Sequence, residues 1–121
     1  MNNENPEISE ISSSSCCLLS SLVSAVHRWA EEREIFDHAS SLAQGLKTLE
    51  ESTELMEALV NQDQEKILDG IGDVLVTLII QAELQNLTLQ DCLLQAYSDI
   101  KDRKGKMVNG TFVKEKESSN E

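Results

Sequence analysis

Aromatic side chains are nearly missing from this chain, with one Trp, one Tyr and two Phe in 121 residues. A core without them must rest on Leu, Ile, Val, Ala and Met, the usual filling between packed helices. Proline occurs once, at Pro6, and the five glycines are scattered. Little therefore interrupts long helices between residues 18 and 104. Basic residues are scarce as well: 10 Lys and Arg stand against 22 Asp and Glu, a formal charge of −12. That balance argues against binding nucleic acid polymers, which relies on cations neutralising phosphates. It leaves room for a small phosphorylated ligand, held by a local basic cluster or a metal. The three cysteines, Cys16, Cys17 and Cys92, form no Cys-x-x-Cys pair and no disulfide framework. Cys92 reads as a small core residue, and Cys16 and Cys17 as a frayed helix start. The apolar stretch from Cys16 to Val26 is too short to span a bilayer. The acids Glu4, Glu7 and Glu10 before it have the wrong sign for a signal peptide. These features predict a soluble cytoplasmic protein with no membrane partner.

What is present is helical periodicity. Residues 1–17, rich in Asn, Glu and Ser, read as a mobile tail. A first helix is expected from about Leu18 to Glu34, with Leu19, Leu22, Val26 and Trp29/Ala30 at helical spacing. Asp37 or Ser40 can start a second, striped by Leu42, Leu46, Leu49, Met56 and Leu59 or Val60. Asp63 can cap a third, about Gln64 to Gln85, which is apolar nearly all round after its first turn and should be the most buried. Thr88 opens a fourth through about Lys104, with Leu89, Cys92, Leu93, Ala96 and Ile100 inward. Beyond Gly105 the pattern alternates around Asn109-Gly110, the strongest short hairpin signal. The expectation is an all-α four-helix bundle over residues 18–115, ending in a short β-hairpin or extended arm and an acidic tail at 116–121.

The chemistry centres on Asp73, set in the apolar run Ile71-Gly72-Asp73-Val74-Leu75-Val76. An ionised carboxylate buried there is costly unless a partner neutralises it. One helix earlier stands Glu50-Glu51-x-x-Glu54-x-x-Glu57, and Asp69 lies four residues before Asp73. Positions three and four apart share a helix face. Antiparallel pairing across the turn at 61–63 would bring Glu51 and Glu54 level with Asp69 and Asp73. Oxygen ligands without His or Cys favour Mg²⁺, or Mn²⁺ in its place. Read alone, Glu50 to Glu57 would be a solvated helix face, but Asp73 does not fit that description. Gly70 and Gly72 each cost about 1 kcal/mol relative to Ala within a helix. They indicate either tight helix packing or room for a ligand. Lys101, Arg103, Lys104 and Lys106 concentrate positive charge near the end of the fourth helix. They complement the helix dipole, or bind a polyphosphate beside a metal.

These residues resemble the MazG-like all-α nucleoside triphosphate pyrophosphohydrolases, relatives of the dimeric dUTPases and phosphoribosyl-ATP pyrophosphohydrolases. The family pattern is Glu-Glu-x-x-Glu on one helix and Glu-x-x-Asp on the next. Glu50-Glu51-Ser52-Thr53-Glu54 matches the first half. Asp69-Gly70-Ile71-Gly72-Asp73 matches the second, with Gly70 where the glutamate usually stands. Trp29-Ala30-x-x-Arg33-x-Ile35, Gln44-x-x-Lys47, and Ile100-Lys101-Asp102-Arg103-Lys104-Gly105-Lys106-Met107 extend the likeness. So does the Asn-Gly-x-Phe-Val-Lys tail, typical of short, phage-type members. The resemblance implies Mg²⁺-dependent cleavage of a nucleoside triphosphate to the monophosphate and pyrophosphate. It implies Glu51, Glu54, Asp69 and Asp73 as metal ligands, with Glu50 or another carboxylate orienting water. Lys47, Lys101, Arg103 and Lys104 would hold the polyphosphate. Gln44, Trp29 and Tyr97 are further substrate-binding candidates, Trp29 being first choice for stacking on the base. A homodimer or homotetramer with shared nucleotide pockets is implied too. Two other readings are a relative impaired by Gly70 that only binds nucleotides, and a helical interaction module.

Overall fold

The structure is a computed structural model and describes residues 18–116, so the expectations for both tails, Cys16 and Cys17 included, lie outside it. The elements run α1 (Leu18–Glu32), α2 (Ile35–His38), α3 (Ser41–Val60), α4 (Gln64–Leu84), α5 (Leu89–Ile100), β1 (Gly105–Val108) and β2 (Thr111–Lys114). The all-helical architecture with a C-terminal hairpin is as expected, except that one short helix, α2, was not foreseen. It arises because α1 stops at Glu32, two residues early. Glu34 adopts a left-handed φ of 59° and its N–H bonds to the Glu31 carbonyl at 3.0 Å, which breaks the helix.

The chain divides into two compact units, the first through Thr88 and the second from Leu89. The first is built on α3 and α4, and α1 and α2 pack more sparsely on α4. Local chemistry sets the ends of these two helices. Ser40 accepts a hydrogen bond from Ala43 N at 3.1 Å and Asp63 one from Lys66 N at 3.3 Å, so both helices begin on side-chain caps. Both end in the same way. Gln62 and Asn86 take φ of 53° and 58°, while Asp63 N and Leu87 N reach back to the carbonyls of Ala58 and Ala82. These are Schellman closures, which satisfy carbonyls the helix leaves open. α1 is tied to α4 by His27, whose Nε2 lies 3.3 Å from Glu83 Oε1, and its ring stacks on Phe36 of α2 at 5.1 Å. Ala30, Ala58, Ile79, Ile80 and Ala82 make up the buried apolar core among the described residues. α4 is the most buried helix, as its composition implied.

The expected inward stripe of α3 is corrected by the structure. Leu42, Leu46, Leu49, Met56, Leu59 and Val60 are all exposed, Leu42 at 85%. The face of α3 that meets α4 is a different and more polar one. The second unit brings two more corrections. α5 ends at Ile100, because the Lys104 carbonyl accepts from Glu115 N at 2.8 Å and so belongs to the hairpin's base. Cys92, Leu93, Ala96 and Ile100 are exposed rather than inward, since α5 is solvent-facing along its whole length after Leu89. The hairpin pairs Gly105 with Lys114 and Val108 with Thr111. Asn109 and Gly110, at φ 50° and 85°, make the primed turn that suits the twist of two strands. A Cβ at Gly105 would collide with the Val113 carbonyl and the Phe112 ring, so glycine is required there.

The two glycines of α4 separate into different roles. A Cβ on Gly70 would sit 3.3 to 3.4 Å from Leu55, including its Cα, whereas one on Gly72 would meet nothing within 4 Å. Gly72→Ala is expected to stabilise the chain by about 1 kcal/mol through helix propensity. Gly70→Ala is expected to gain less, because close packing against the α3 backbone opposes the added methyl. Urea unfolding of the two variants checks the order.

Candidate functional site

On α3, Gln44, Thr48, Glu51, Leu55 and Ala58 recur at spacings of four and three. With Gly45 they are the residues of that helix shielded from solvent. This is the heptad-like spacing of a helix–helix seam. Its partners on α4 can be read from the hydrogen bonds. Gln44 Nε2 donates to the Thr77 carbonyl at 3.2 Å, and the hydroxyls of Thr48 and Thr77 are 3.0 Å apart. Gln81 Nε2 donates to the Ser41 carbonyl at 2.9 Å, and Leu55 lies over Gly70. Lower numbers on α3 thus face higher numbers on α4, the antiparallel order that the short turn dictates. Between the Thr48–Thr77 and Leu55–Gly70 levels fall Glu51 and Asp73.

The carboxylates therefore meet across the two helices. Glu51 is the most shielded member of the acid–lysine cluster, its side chain 14% exposed, and Lys47 Nζ lies 3.4 Å from both Glu51 Oε1 and Glu50 Oε2. Those acids, Glu50 foremost, raise the affinity of Lys47 for its proton. Glu54 stands beside Glu51, whose negative charge and hydrogen bond push the Glu54 carboxyl above its ordinary 4.5. Asp73 is raised above 3.8, chiefly by burial, then by the charges of Asp69 and Glu51, with Lys47 pulling the other way. Asp73 is half-buried rather than sealed in apolar surroundings, since Ile71 beside it is 57% exposed. The cost of its charge therefore comes from like neighbours as well as from lost water. A recess of about 290 Å³ opens here, lined by Glu54, Glu57, Lys66, Asp69, Gly70 and Asp73.

This donor set is all oxygen and strongly anionic, which suits a hard divalent cation in kind. Among the described residues, however, no three acidic, His or Cys side chains stand poised around one point. The carboxyls instead interact with one another and with Lys47. The other expected residues fall in different settings. Gln44 is 8% exposed, with its amide committed to the α4 backbone, so it serves helix packing. Trp29 is 44% exposed and carries the Arg33 guanidinium 4.6 Å above its ring. Tyr97, Lys101, Arg103 and Lys104 belong to the second unit. There a recess of about 870 Å³ has Arg103, Lys104, Lys114 and Lys116 in its wall, along with Asp99 and Asp102. Sequence reading missed Thr48 and Thr77, and did not include Glu57 and Lys66 in the site. The repeat of Gln44, Thr48 and Glu51 at seam spacing was the signal for the first of these.

A pH dependence follows from the two raised carboxyls. A carboxyl with a higher pKa folded than unfolded binds more protons in the native state, so stability falls as pH rises through that interval. The window starts at the ordinary values, 3.8 for Asp73 and 4.5 for Glu54, and extends upward. In metal-free buffer, the contribution of these groups to Tm should decline from there towards neutrality. Asp73→Asn should raise Tm at pH 7 and flatten the decline. Melting curves in EDTA across pH decide it, and a lower Tm at pH 7 would contradict the repulsion.

With this geometry in place, the chain can be compared with known proteins. A family model described as MazG nucleotide pyrophosphohydrolase domain matches residues 36–108. A protein of Haemophilus phage HP1 (strain HP1c1), described as an uncharacterized 18.2 kDa protein in the rep-hol intergenic region, is 29% identical over 69 residues. That match covers 57% of this chain and 42% of the phage protein, less than half of the relative's length. No solved structure matches. No helix among the described residues is long and apolar enough to cross a membrane. The family match takes in the whole α3–α4 pair with its carboxylates and more than half of the chain, and on that ground the protein belongs to the MazG nucleotide pyrophosphohydrolase domain family.

Proposed function

We propose that this chain hydrolyses ribo- or deoxyribonucleoside triphosphates to the monophosphate and pyrophosphate in a Mg²⁺-dependent reaction in which Mn²⁺ can substitute. The observation that carries the reading is the facing of Glu51 and Glu54 with Asp69 and Asp73 across α3 and α4, where burial, Asp69 and Glu51 raise Asp73, and Glu51 with Glu50 on its own helix raises Glu54. Such repulsion, in a family chain where Lys47 and Lys66 are the lysines beside the cluster, is what a divalent cation would relieve. Glu51, Glu54 and Asp73 would hold the ion, with Asp69 as helper. When bound, the metal supplies charge neutralisation on phosphate oxygens and lowers the pKa of a water.

The chain's own groups carry the rest. Glu50, exposed and hydrogen-bonded by Lys47 at 3.4 Å, orients the attacking water and takes its proton as general base. Water oxygen bonds to the α-phosphorus, the bond from that phosphorus to the bridging oxygen breaks, and pyrophosphate leaves. Lys47 is paired with Glu50 and Glu51. With Glu51 among the residues that would hold the ion, the Lys47 ammonium would be freed towards the polyphosphate, whose charge builds during displacement. Trp29, in the same unit as the carboxylates, offers a face for the base.

The working form in this reading is a homodimer or homotetramer. Leu42, Leu46, Leu49, Met56 and Val60 recur at spacings of four, three, seven and four along α3, with Thr53 in the one gap, and are 59 to 85% exposed, a seam that a second copy would cover. A cytoplasmic setting fits a nucleotide substrate. One observation favours a second reading: Gly70, packed on Leu55, removes the glutamate of the family pattern, and a chain so depleted could bind nucleotides without cleaving them.

Incubation with a panel of nucleoside triphosphates and Mg²⁺ should release pyrophosphate, and Glu51→Gln or Asp73→Asn should lower kcat by about 100-fold or more. Unchanged turnover in Asp73→Asn would sink the assignment, and a nucleotide-induced rise in Tm without pyrophosphate would select the binding-only reading. Separately, Leu46→Glu with Leu49→Glu should shift the sedimentation profile towards monomer.

A further inference from the structure

The half of the α3–α4 seam nearest Ser41 is hydrogen-bonded where most helix pairs are oily. The Thr77 hydroxyl donates to the Val74 carbonyl at 2.6 Å and accepts from the Thr48 hydroxyl at 3.0 Å. The Thr48 hydroxyl also lies 3.3 Å from the Gln44 carbonyl, and Gln44 closes the ring onto the Thr77 carbonyl. Gln44 and Thr77 are 8% and 4% exposed, and no buried side-chain nitrogen or oxygen among the described residues lacks a partner. Farther along, Gln81 and Gln85 hold Ser41 at 2.9 and 2.7 Å. A purely apolar seam tolerates sliding and rotation, because any contact of similar area serves as well. The Thr48–Thr77 hydroxyl pair and the Gln44 amide on the Thr77 carbonyl form together in one register only. The hydroxyls keep carbonyl acceptors on their own helices, whereas the buried Gln44 amide would lose its partner, which is costly.

This ring sits one turn from the acids. Thr48 precedes Glu51 by three residues on α3, and Thr77 follows Asp73 by four on α4, so each member shares a face with the carboxylate beside it. We propose that the Gln44–Thr48–Thr77 ring is the positioning element of the carboxylate site, fixing the rotation of α3 against α4 that sets Glu51 opposite Asp73. These three are positioning residues and touch no substrate in this assignment. The proposal rests on the metal-binding reading above only for its consequence in Mg²⁺ affinity, not for the geometry itself.

The test has two arms. In the first, Glu51→Cys and Asp73→Cys are combined in a chain whose Cys16, Cys17 and Cys92 are replaced by Ser, and the effective concentration of the pair is measured against glutathione. Adding Thr77→Val, which keeps the shape and removes the hydroxyl, should lower that value severalfold, and Thr77→Ser should restore it. Thr48→Val, at a half-buried position, repeats the measurement should Thr77→Val fold poorly. In the second arm, Mg²⁺ is titrated calorimetrically into the chain with native carboxylates. Thr77→Val should bind about tenfold more weakly and Thr77→Ser about as well as the parent. An unchanged cysteine pair in both valine variants, with only Tm lowered, overturns the positioning role. A parent chain that binds no Mg²⁺ overturns the metal reading instead, while the cysteine pair still decides the positioning.

Discussion

Everything that gives this chain a site depends on how one helix pair packs. α3 and α4 are joined by three residues, so they must run antiparallel, but the turn alone does not say which faces meet. That is decided by two unlike halves of one seam. Near the turn, Gly70 lets Leu55 lie directly on the α4 backbone, and Ala58 sits in the core. Away from the turn, Gln44, Thr48 and Thr77 exchange hydrogen bonds. Small-residue packing draws the helices close, and the polar ring stops them rotating. Glu51 and Asp73 fall between these two anchors and have no other place to go. Close approach and a fixed angle together force like charges into one neighbourhood.

The same choice of faces explains where the apolar residues are. α3 carries two stripes at seam spacing, one through Gln44, Thr48, Glu51, Leu55 and Ala58, the other through Leu42, Leu46, Leu49, Met56 and Val60. Within the first unit, among the described residues, only the first is covered. A helix that turns its leucines to water while burying threonine and glutamine forgoes a large share of the hydrophobic free energy available to it. Exposed apolar patches of that extent on a folded protein mark a surface made for contact. The assembly proposed above removes the anomaly, because a second copy gives the leucine stripe a partner while leaving the acidic seam to chemistry.

That doubling also shows what could be read from the sequence and what could not. Capping and turn chemistry was legible residue by residue: Ser40, Asp63 and the Asn109-Gly110 turn lie where short-range rules put them, because each rule concerns groups a few bonds apart. The level of Glu51 with Asp73 was legible too, since helix pitch and turn length fix it. The orientation of α3 was not. Two stripes with the same period give the same periodicity signal, and the rule that the more apolar stripe faces inward selects the leucines. Cys92 was misplaced for a related reason: α5 shows an apolar period, but nothing within its unit covers that face. The role of Gly70 stayed ambiguous in the sequence, since tight packing and ligand space both ask for a missing side chain. Its contact with the Leu55 backbone identifies packing, while the recess beside it keeps the second possibility physically compatible with the first.

Holding acids together against their repulsion has a thermodynamic consequence that links the polar ring to the carboxylates. Part of that repulsion crosses the seam, because Glu51 adds to the burial and the Asp69 charge that raise Asp73. Glu54 is raised by Glu51 and Glu50 on its own helix, a repulsion that no sliding of α3 against α4 relieves. Lys47 offsets part of it, but from the edge and with its charge divided between Glu50 and Glu51. Lys66 stands in the wall of the same recess. Beyond these lysines, protonation relieves the cluster, and the proposed divalent cation would compete with protons for the same oxygens. Rigidity supplied by uncharged hydroxyls and amides is suited to this task, because hydrogen bonds between neutral groups hold the angle without adding a counter-ion that would occupy the carboxylates themselves.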